Sequence, residues 1–474
     1  MSIARTQHSP PPTIATGLRD LASSLDFARF HRMVEQSLGE GGQQGAEAGF
    51  LATCYEKMAQ EAVRQGEYFL AYDCARHGLR CAAAAGFPPH ELKVEELTAL
   101  ARTGATEKAL ELAEDFLRDE RPTARLASAM ARLHRDRALG AATEADRRKF
   151  LRLACGWAAE ALKIAEREGG DQAYPAGQLA QYALLAGELR EAHGMARKVI
   201  RRVNREIGRD GKRDNFWNQT NLAEMALVLG DLESAGRHYK AAASLGTNTG
   251  HLAANRLVAE LLLRELRRRN PQINAAVIEE WFIRPVVAVF SGHMPDGAHT
   301  DGKKRPHRLP EVMCRPGGPA AKAIAAWLGK NKVREGICAT APGGDILFSE
   351  QVLVAGGRLQ LVEPFGRERQ EAAAEHCGHD WSARLAKVWA AAGRCETVHC
   401  AEGADLAMQC QYANRVMIGS AMLRARQTGG TLRALLLWEN RGGKALIPGG
   451  AAEFAGLCKR AGVPVDIINP GELT

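Results

Sequence analysis

The residues of this chain best suited to chemistry stand in the stretch ATAPGGDILFSEQVLVAGGRLQLVEPF, residues 339–365. Pro342, Gly343, Gly344 and Asp345 precede an apolar helical run, and Glu350 stands inside that run. A glycine pair that opens a helix lets the backbone approach a ligand and turns free N–H groups toward an anion. A carboxylate stands one and a half turns further on. Two other junctions share this grammar: Ser291–Gly292–His293 ends the apolar run RPVVAVF, and Gly449–Gly450 precedes a last helical segment. His293, directly after a glycine, is a candidate ligand contact or acid. Asn414, in YANRVMIGSAM, is a candidate ligand contact, and Glu439, Asn440 and Lys444 follow another strand-like run. Each group also has a plain structural use. The glycines turn the chain, and Asp345 is expected to cap its helix by accepting the N–H of Leu347 or Phe348.

These loops can share one site only if they lie at one edge of a sheet, beyond the carboxyl ends of parallel strands. After Asn270–Pro271 the pattern fits that demand. The strand-like runs RPVVAVFSGH, REGICATA, RLQLVEPF, LRALLLWEN and VPVDIINP alternate with helical segments and are bounded by Gly and Pro. Short, continuously apolar strands alternating with helices predict a parallel sheet covered on both faces, a Rossmann-like α/β domain over 280–474.

Residues 17–270 read as helix after helix. In FLATCYEKMAQEAV the apolar positions follow the three-and-four spacing of one helical face. Four glycines each stand five residues before an alanine: Gly66–Ala71, Gly104–Ala109, Gly187–Ala192 and Gly230–Ala235. A glycine that ends one helix, followed by a small residue on the next, predicts closely packed antiparallel pairs. The middle gap spans two units, one of them degenerate. About five hairpins and a closing helix, HLAANRLVAELLLRELRRR, are expected, with Arg264, Arg267, Arg268 and Arg269 suiting that helix's C-terminus. Residues 1–16 read as a loose tail.

Composition bounds the partners. The chain has 474 residues, 46% of them hydrophobic and 25% charged, with a formal charge of +8. Two or three soluble domains follow, and no apolar run is long enough to predict a membrane span. Eleven scattered cysteines suit a reducing cytoplasm, with thiols as small core residues. His376, Cys377 and His379, with Cys395, His399 and Cys400, match no zinc spacing, so neither metal nor cofactor is expected. The one dense basic loop, Lys303, Lys304, Arg305 and Arg308, reads as a solvated loop. Nucleic acid is therefore not an expected partner.

The order SGH, APGGDILFSEQVLVAGGRLQLVEPF, YANRVMIGSAM, LLLW and GGAAEF resembles the SLOG superfamily, which takes its name from the Smf/DprA and LOG proteins. Gly343–Gly344–Asp345, Gly356–Gly357 and RLQLVEPF follow the DprA-like order. Pro342, Gly343, Gly344 and Glu350 fall in register with the LOG pattern Pro-Gly-Gly-x-Gly-Thr-x-x-Glu, but Ile346 and Leu347 replace its second Gly and its Thr. The resemblance covers roughly 285–470. The helical half resembles the tetratricopeptide repeat (TPR), and the pair of halves is similar to repeat-bearing sensors of bacterial conflict systems. What the resemblance implies is nucleotide binding, with or without cleavage of the base from the ribose. With the Gly–Thr companions lost, binding of a nucleotide-derived ligand is favoured over turnover, beside a helical array that binds a protein partner or forms a homo-oligomer. The alternatives are a LOG-type nucleotide N-glycosidase using Glu350 and DprA-like binding of single-stranded DNA.

Overall fold

The computed structural model describes residues 45–473 except 87, 120, 210–214, 246–247, 297–308, 399–403 and 440–448. The expected tail (1–16), the first residues of the expected helical array, the basic loop Lys303–Arg308, and Asn440 and Lys444 lie outside the described residues. The chain divides into two compact units, residues 1–283 and 284–474.

The first unit is built by its glycine turns. Gly66, Gly104, Gly187 and Gly230 all adopt positive φ, at 74°, 94°, 93° and 81°. The residue after each donates its N–H to a carbonyl five residues back: Glu67 to Ala62 (2.8 Å), Ala105 to Leu100 (2.9 Å), Glu188 to Ala183 (2.8 Å) and Asp231 to Ala226 (2.9 Å). This Schellman closure ends one helix and reverses the chain. Ala71, Ala109, Ala192 and Ala235 are then fully buried, where a larger side chain would hold the two helices apart. The pairs are α1 (Gly45–Gln65) with α2 (Tyr68–Ala85), α3 (His90–Thr103) with α4 (Thr106–Asp119), α5 (Ala124–Leu139) with α6 (Glu144–Glu168), α7 (Ala173–Ala186) with α8 (Leu189–Arg209), and α9 (Phe216–Val228) with α10 (Leu232–Leu245). The degenerate unit is the third. Gly140 has φ −90°, and α6 starts instead from Thr143, whose hydroxyl accepts the Asp146 N–H (3.0 Å) and donates to the Asp146 carboxylate (2.7 Å). The first helices of successive pairs touch one another as a layer. The expected closing helix is α11 (Thr249–Arg269), which packs on α1, α7 and α9. A short α12 (Ile278–Trp281) follows.

The second unit is a six-stranded, all-parallel sheet in the order β4-β3-β2-β1-β5-β6. The strands are β1 (Val286–Gly292), β2 (Val333–Cys338), β3 (Arg358–Glu363), β4 (Arg394–Thr397), β5 (Thr431–Leu437) and β6 (Val465–Ile468). Alternate residues of each strand enter opposite cores. Ala288, Phe290, Cys338, Leu361 and Leu435 meet α13 (Pro319–Asn331), α14 (Gly344–Val354), α15 (Arg367–His376) and α16 (His379–Ala391). Val287, Val289, Ile337, Val362 and Leu436 meet α17 (Leu406–Gln427) and α18 (Ala451–Arg460). Right-handed crossovers explain the split: strands added outward from β1 through β4 place their helices on one face, and the return to β5 and β6 uses the other. Arg424 of α17 donates twice to buried Glu335 of β2 (2.5 and 2.8 Å), tying that helix to the sheet.

Five of these strands are the ones the sequence predicts. β4 is the addition, together with α15 and α16. It has four residues, and Arg394 and Cys395 at its start are exposed, so it carries no apolar run to announce it. Cys54, Cys74, Cys81, Cys314, Cys338 and Cys458 are buried. Among the described residues no helix is long and apolar enough to cross a membrane, and no group of three His, Cys, Asp or Glu is placed to hold a metal. His399, Cys400 and the side chain of His379 fall outside that statement.

Candidate functional site

The strand order reverses between β1 and β5, so the crossovers leave those two strands on opposite faces and open a crevice at their carboxyl ends. Gly292 pairs in register with Leu437, and the next residue, His293, donates its N–H to the Leu437 carbonyl (3.2 Å). Two residues past β5 stands Glu439. The His293 Nε2–H meets the Glu439 carboxylate in a short hydrogen bond, with side-chain exposures of 12% and 13%. A carboxylate only accepts, so this contact places the imidazole proton on Nε2. Two residues 146 positions apart in sequence thus meet at the point where an open α/β sheet takes its ligands.

The loop after β2 is pressed against the same spot. A Cβ on Gly344 would stand 2.8 Å from the Gly292 Cα, and one on Gly343 would stand 2.6 Å from the His293 carbonyl. Gly343 also has φ 98°, and Gly344 donates its N–H to the His293 carbonyl (2.9 Å). Any side chain at either position would push the two loops apart. Pro342 is buried in this junction, and Ser291 is half-buried at the end of β1.

Asp345 does not cap its helix by the expected bonds. Gly343 occupies the N-cap position of α14 without a side-chain hydrogen bond, and Asp345 stands inside the first turn. Its carboxylate is 5% exposed and accepts the backbone N–H groups of Ala341 (3.3 Å) and Gly292, fastening the loop after β2 to the end of β1. Burial lifts its pKa to about 7, outweighing those two bonds, which favour the ionised form. Its backbone carbonyl accepts the Ser349 hydroxyl (2.8 Å), and Ser349 lies 3.1 Å from the Cys338 sulfur beneath the loop.

The third glycine loop reaches the site through α17. Gly449 has φ 78°, and a Cβ there would lie 2.3 Å from the Cys410 Cβ. Asn414, 4% exposed, donates its amide to the Gly449 carbonyl (3.1 Å), which is its structural use as a loop anchor. The Gly449 N–H is taken by Glu453 (2.6 Å), so α18 begins with an acid beside it and with Gly450 as N-cap, again without a side-chain cap. Cys410 is close enough to Asp345 for that carboxylate to raise its pKa, second to burial. Gly292, Gly344 and Asp345 are thus joined at one edge of the sheet, and Gly449 is held by Asn414 and Cys410 of α17.

Glu350 is held by a residue of another helix. Arg384 of α16 grips its carboxylate with two bonds of 2.6 Å, donates to the Cys314 carbonyl (2.9 Å) and lies over the Trp381 ring, 4.2 Å from its centre. This arrangement staples α14 to α16. Arg384 had no sequence signal except Trp381 three residues before it on a helix that was itself not anticipated. Sequence reasoning also missed three buried polar atoms that have no hydrogen-bond partner among the described residues: Thr340 Oγ1, Glu363 Oε1 and Gln370 Nε2. Cys338 pairs with Leu361, so two residues further on Thr340, past the end of β2, and Glu363, the last residue of β3, stand beside each other. Glu363 is 3% exposed, and its other oxygen accepts the Thr397 hydroxyl (2.8 Å).

Comparison with protein-family models returns no match, and comparison with curated proteins returns none that is significant.

Proposed function

We propose that the sheet unit binds a phosphate-bearing, nucleotide-derived ligand at the carboxyl edge over β1 and β5. One observation carries the reading. Gly292 and Gly344 meet backbone to backbone where α14 opens, and α18, on the opposite face, opens past the carboxyl end of β5; neither helix has a side-chain cap on its first turn. Uncapped first-turn N–H groups and the dipole behind them suit a phosphate. Glu363 and Thr340, buried and each with an oxygen unbonded among the described residues, suit the hydroxyls of a sugar. In this reading the helical unit is a TPR-like array that engages a protein partner, and the whole is a cytoplasmic signalling or defence-associated protein. Its support is the fourfold glycine–alanine turn and the resemblance of the two halves.

A second reading, hydrolysis of an N-glycosidic bond, is favoured by the His293–Glu439 contact. An imidazole held by a carboxylate is a general acid or base. Glu350, already engaged by Arg384, acts in this scheme as a positioning residue.

The test is a thermal-shift and base-release screen of the full chain with NAD, ADP-ribose, cyclic nucleotides and nucleoside monophosphates. Binding without base release is the expected result. Base release lost in His293→Ala would establish the second reading. The site reading is refuted if no nucleotide moves the melting curve and Gly343→Val leaves every interaction of the chain intact.

A further inference from the structure

Helix α11 is the last of the helical unit, yet its first residues lie on the first hairpin. Thr249 donates its hydroxyl to the Gln65 carbonyl (3.0 Å) at the end of α1. Gly250 sits backbone to backbone: a Cβ there would stand 2.3 Å from the Val63 carbonyl and 2.6 Å from the Gly66 nitrogen. Midway, Asn255 donates to the Thr220 hydroxyl of α9 (2.8 Å). At the far end Glu265 accepts from Arg147 of α6 (3.3 Å), and Arg269 donates to the Leu184 carbonyl in the last turn of α7 (2.9 Å). Between these handles a narrow stripe, Ala259, Leu262, Leu263 and Leu266, is buried in the core it shares with α7 and α9. A 21-residue helix is about 30 Å long, so α11 spans the layer of first helices.

The segment is also tied down on both sides of itself by one element. The chain leaves α10 to enter α11, and after α11 it comes back to α10. Trp281 and Phe282 lie against Tyr239 (ring centres 5.8 and 4.8 Å apart), and a Cβ on Gly236 would meet the Trp281 ring at 2.4 Å. Everything between those two anchors can therefore leave the layer while the five hairpins keep their own contacts.

We infer that the layer of first helices is a helix-binding groove with α11 as its resident ligand. The partner that fits it is an amphipathic helix with α11's chemistry: a narrow Ala/Leu stripe, an amide one turn before it and a glutamate within it. Such a partner binds by exchange, replacing α11 rather than adding to it. The inference rests on the reading that the helical unit has a protein partner, and it names the surface and the class of partner.

The probe is a labelled synthetic peptide of residues 249–269, with a scrambled control, offered to the full chain. Tethered α11 competes at an effective concentration that is millimolar for a short linker, so the wild-type chain is expected to bind the peptide weakly. Gly250→Ala forces a Cβ into the α1 backbone and is expected to tighten peptide binding at least tenfold. Hydrogen exchange of the wild-type chain provides a reading that needs no variant: α11 amides are expected to exchange at least tenfold faster than those of α7 and α9. Exchange of α11 only together with α7 and α9, or a peptide that binds neither chain, would overturn the inference. Peptide exchange in a chain for which no protein competes would uphold the groove and remove the partner reading.

Discussion

Asp345→Asn tests whether the acid under the glycine junction is held in the way its surroundings imply. The carboxyl is 5% exposed, and burial lifts its pKa from 3.8 to about 7. A carboxyl whose folded pKa is raised binds its proton more tightly in the native state, so the native state loses stability as pH climbs from the unfolded value to the folded one. The loss begins near pH 4, is complete near pH 7 and is flat above. At roughly 1.36 kcal/mol per pH unit the whole window amounts to about 4 kcal/mol, of which about 2 kcal/mol falls between pH 5.5 and pH 8. Asn keeps an oxygen for the Ala341 and Gly292 N–H groups and carries no charge. The substitution is therefore expected to stabilise the sheet unit, by about 2 kcal/mol more at pH 8 than at pH 5.5. Native-state hydrogen exchange, corrected for intrinsic rates and read on β1 and α14, isolates this unit from the acids Glu95 and Glu224 of the helical unit, which are also shifted to about 7. A difference between variant and wild type that is the same at both pH values would refute the reasoning. The sign also reaches function: a phosphate at the start of α14 disfavours the ionised form further, so proton uptake should accompany anion binding.

Gly343→Val places a β-branched residue at φ 98° with its Cβ against the His293 carbonyl. It should cost about 1–3 kcal/mol in strain alone and abolish nucleotide thermal shifts, while exchange protection in the helical unit is unchanged; retained shifts would count against the junction as a site. Glu350→Gln removes the charge and one of the two acceptors that hold Arg384. With side-chain exposures of 24% and 11% the pair is partly screened, so about 1–2 kcal/mol of stability should be lost. Ligand affinity should hold, and loss of base release without loss of stability would return Glu350 to a catalytic role. Thr143→Ala removes the hydroxyl that starts α6 and should cost about 1 kcal/mol, seen as faster exchange in the first turn of α6; unchanged protection there would show the cap to be idle.

The parts of the fold that could be read from sequence were those set by one residue type at fixed spacing. Glycine at positive φ followed five residues later by a buried alanine is a local requirement, so four hairpin turns were visible without knowledge of their neighbours. Gly140 shows the limit. Its turn is made by Thr143, and a serine or threonine cap is too common a local signal to mark a repeat. The buried strands were visible because both faces of the sheet are covered, which makes each an unbroken apolar run. β4 is an edge strand and had nothing to show. The return of α11 to α1 was invisible for a different reason: Gly250 meets a backbone almost two hundred residues away, and no periodicity records that.

The candidate site divides along the same line. The glycine junctions were legible because close backbone approach admits only one residue type, and Gly292, Gly344 and Gly449 are brought to one edge. The side-chain roles were not, because the behaviour of a carboxylate depends on which donor reaches it. Glu350 has a register that suggests catalysis, but its donor, Arg384, comes from α16, a helix with no sequence signal. Asp345 has a position that suggests a cap, but the nearest unmet N–H groups are those of Ala341 and of Gly292 on a neighbouring strand. Glu439 had no motif at all and acquires its imidazole only because β1 and β5 are adjacent where the sheet order reverses. Topology therefore adds a second candidate centre, the crevice between β1 and β5, to the helix that carries Glu350. A His293→Ala variant should disturb ligand binding there more than Glu350→Gln does; equal effects of the two would place the centre back on α14.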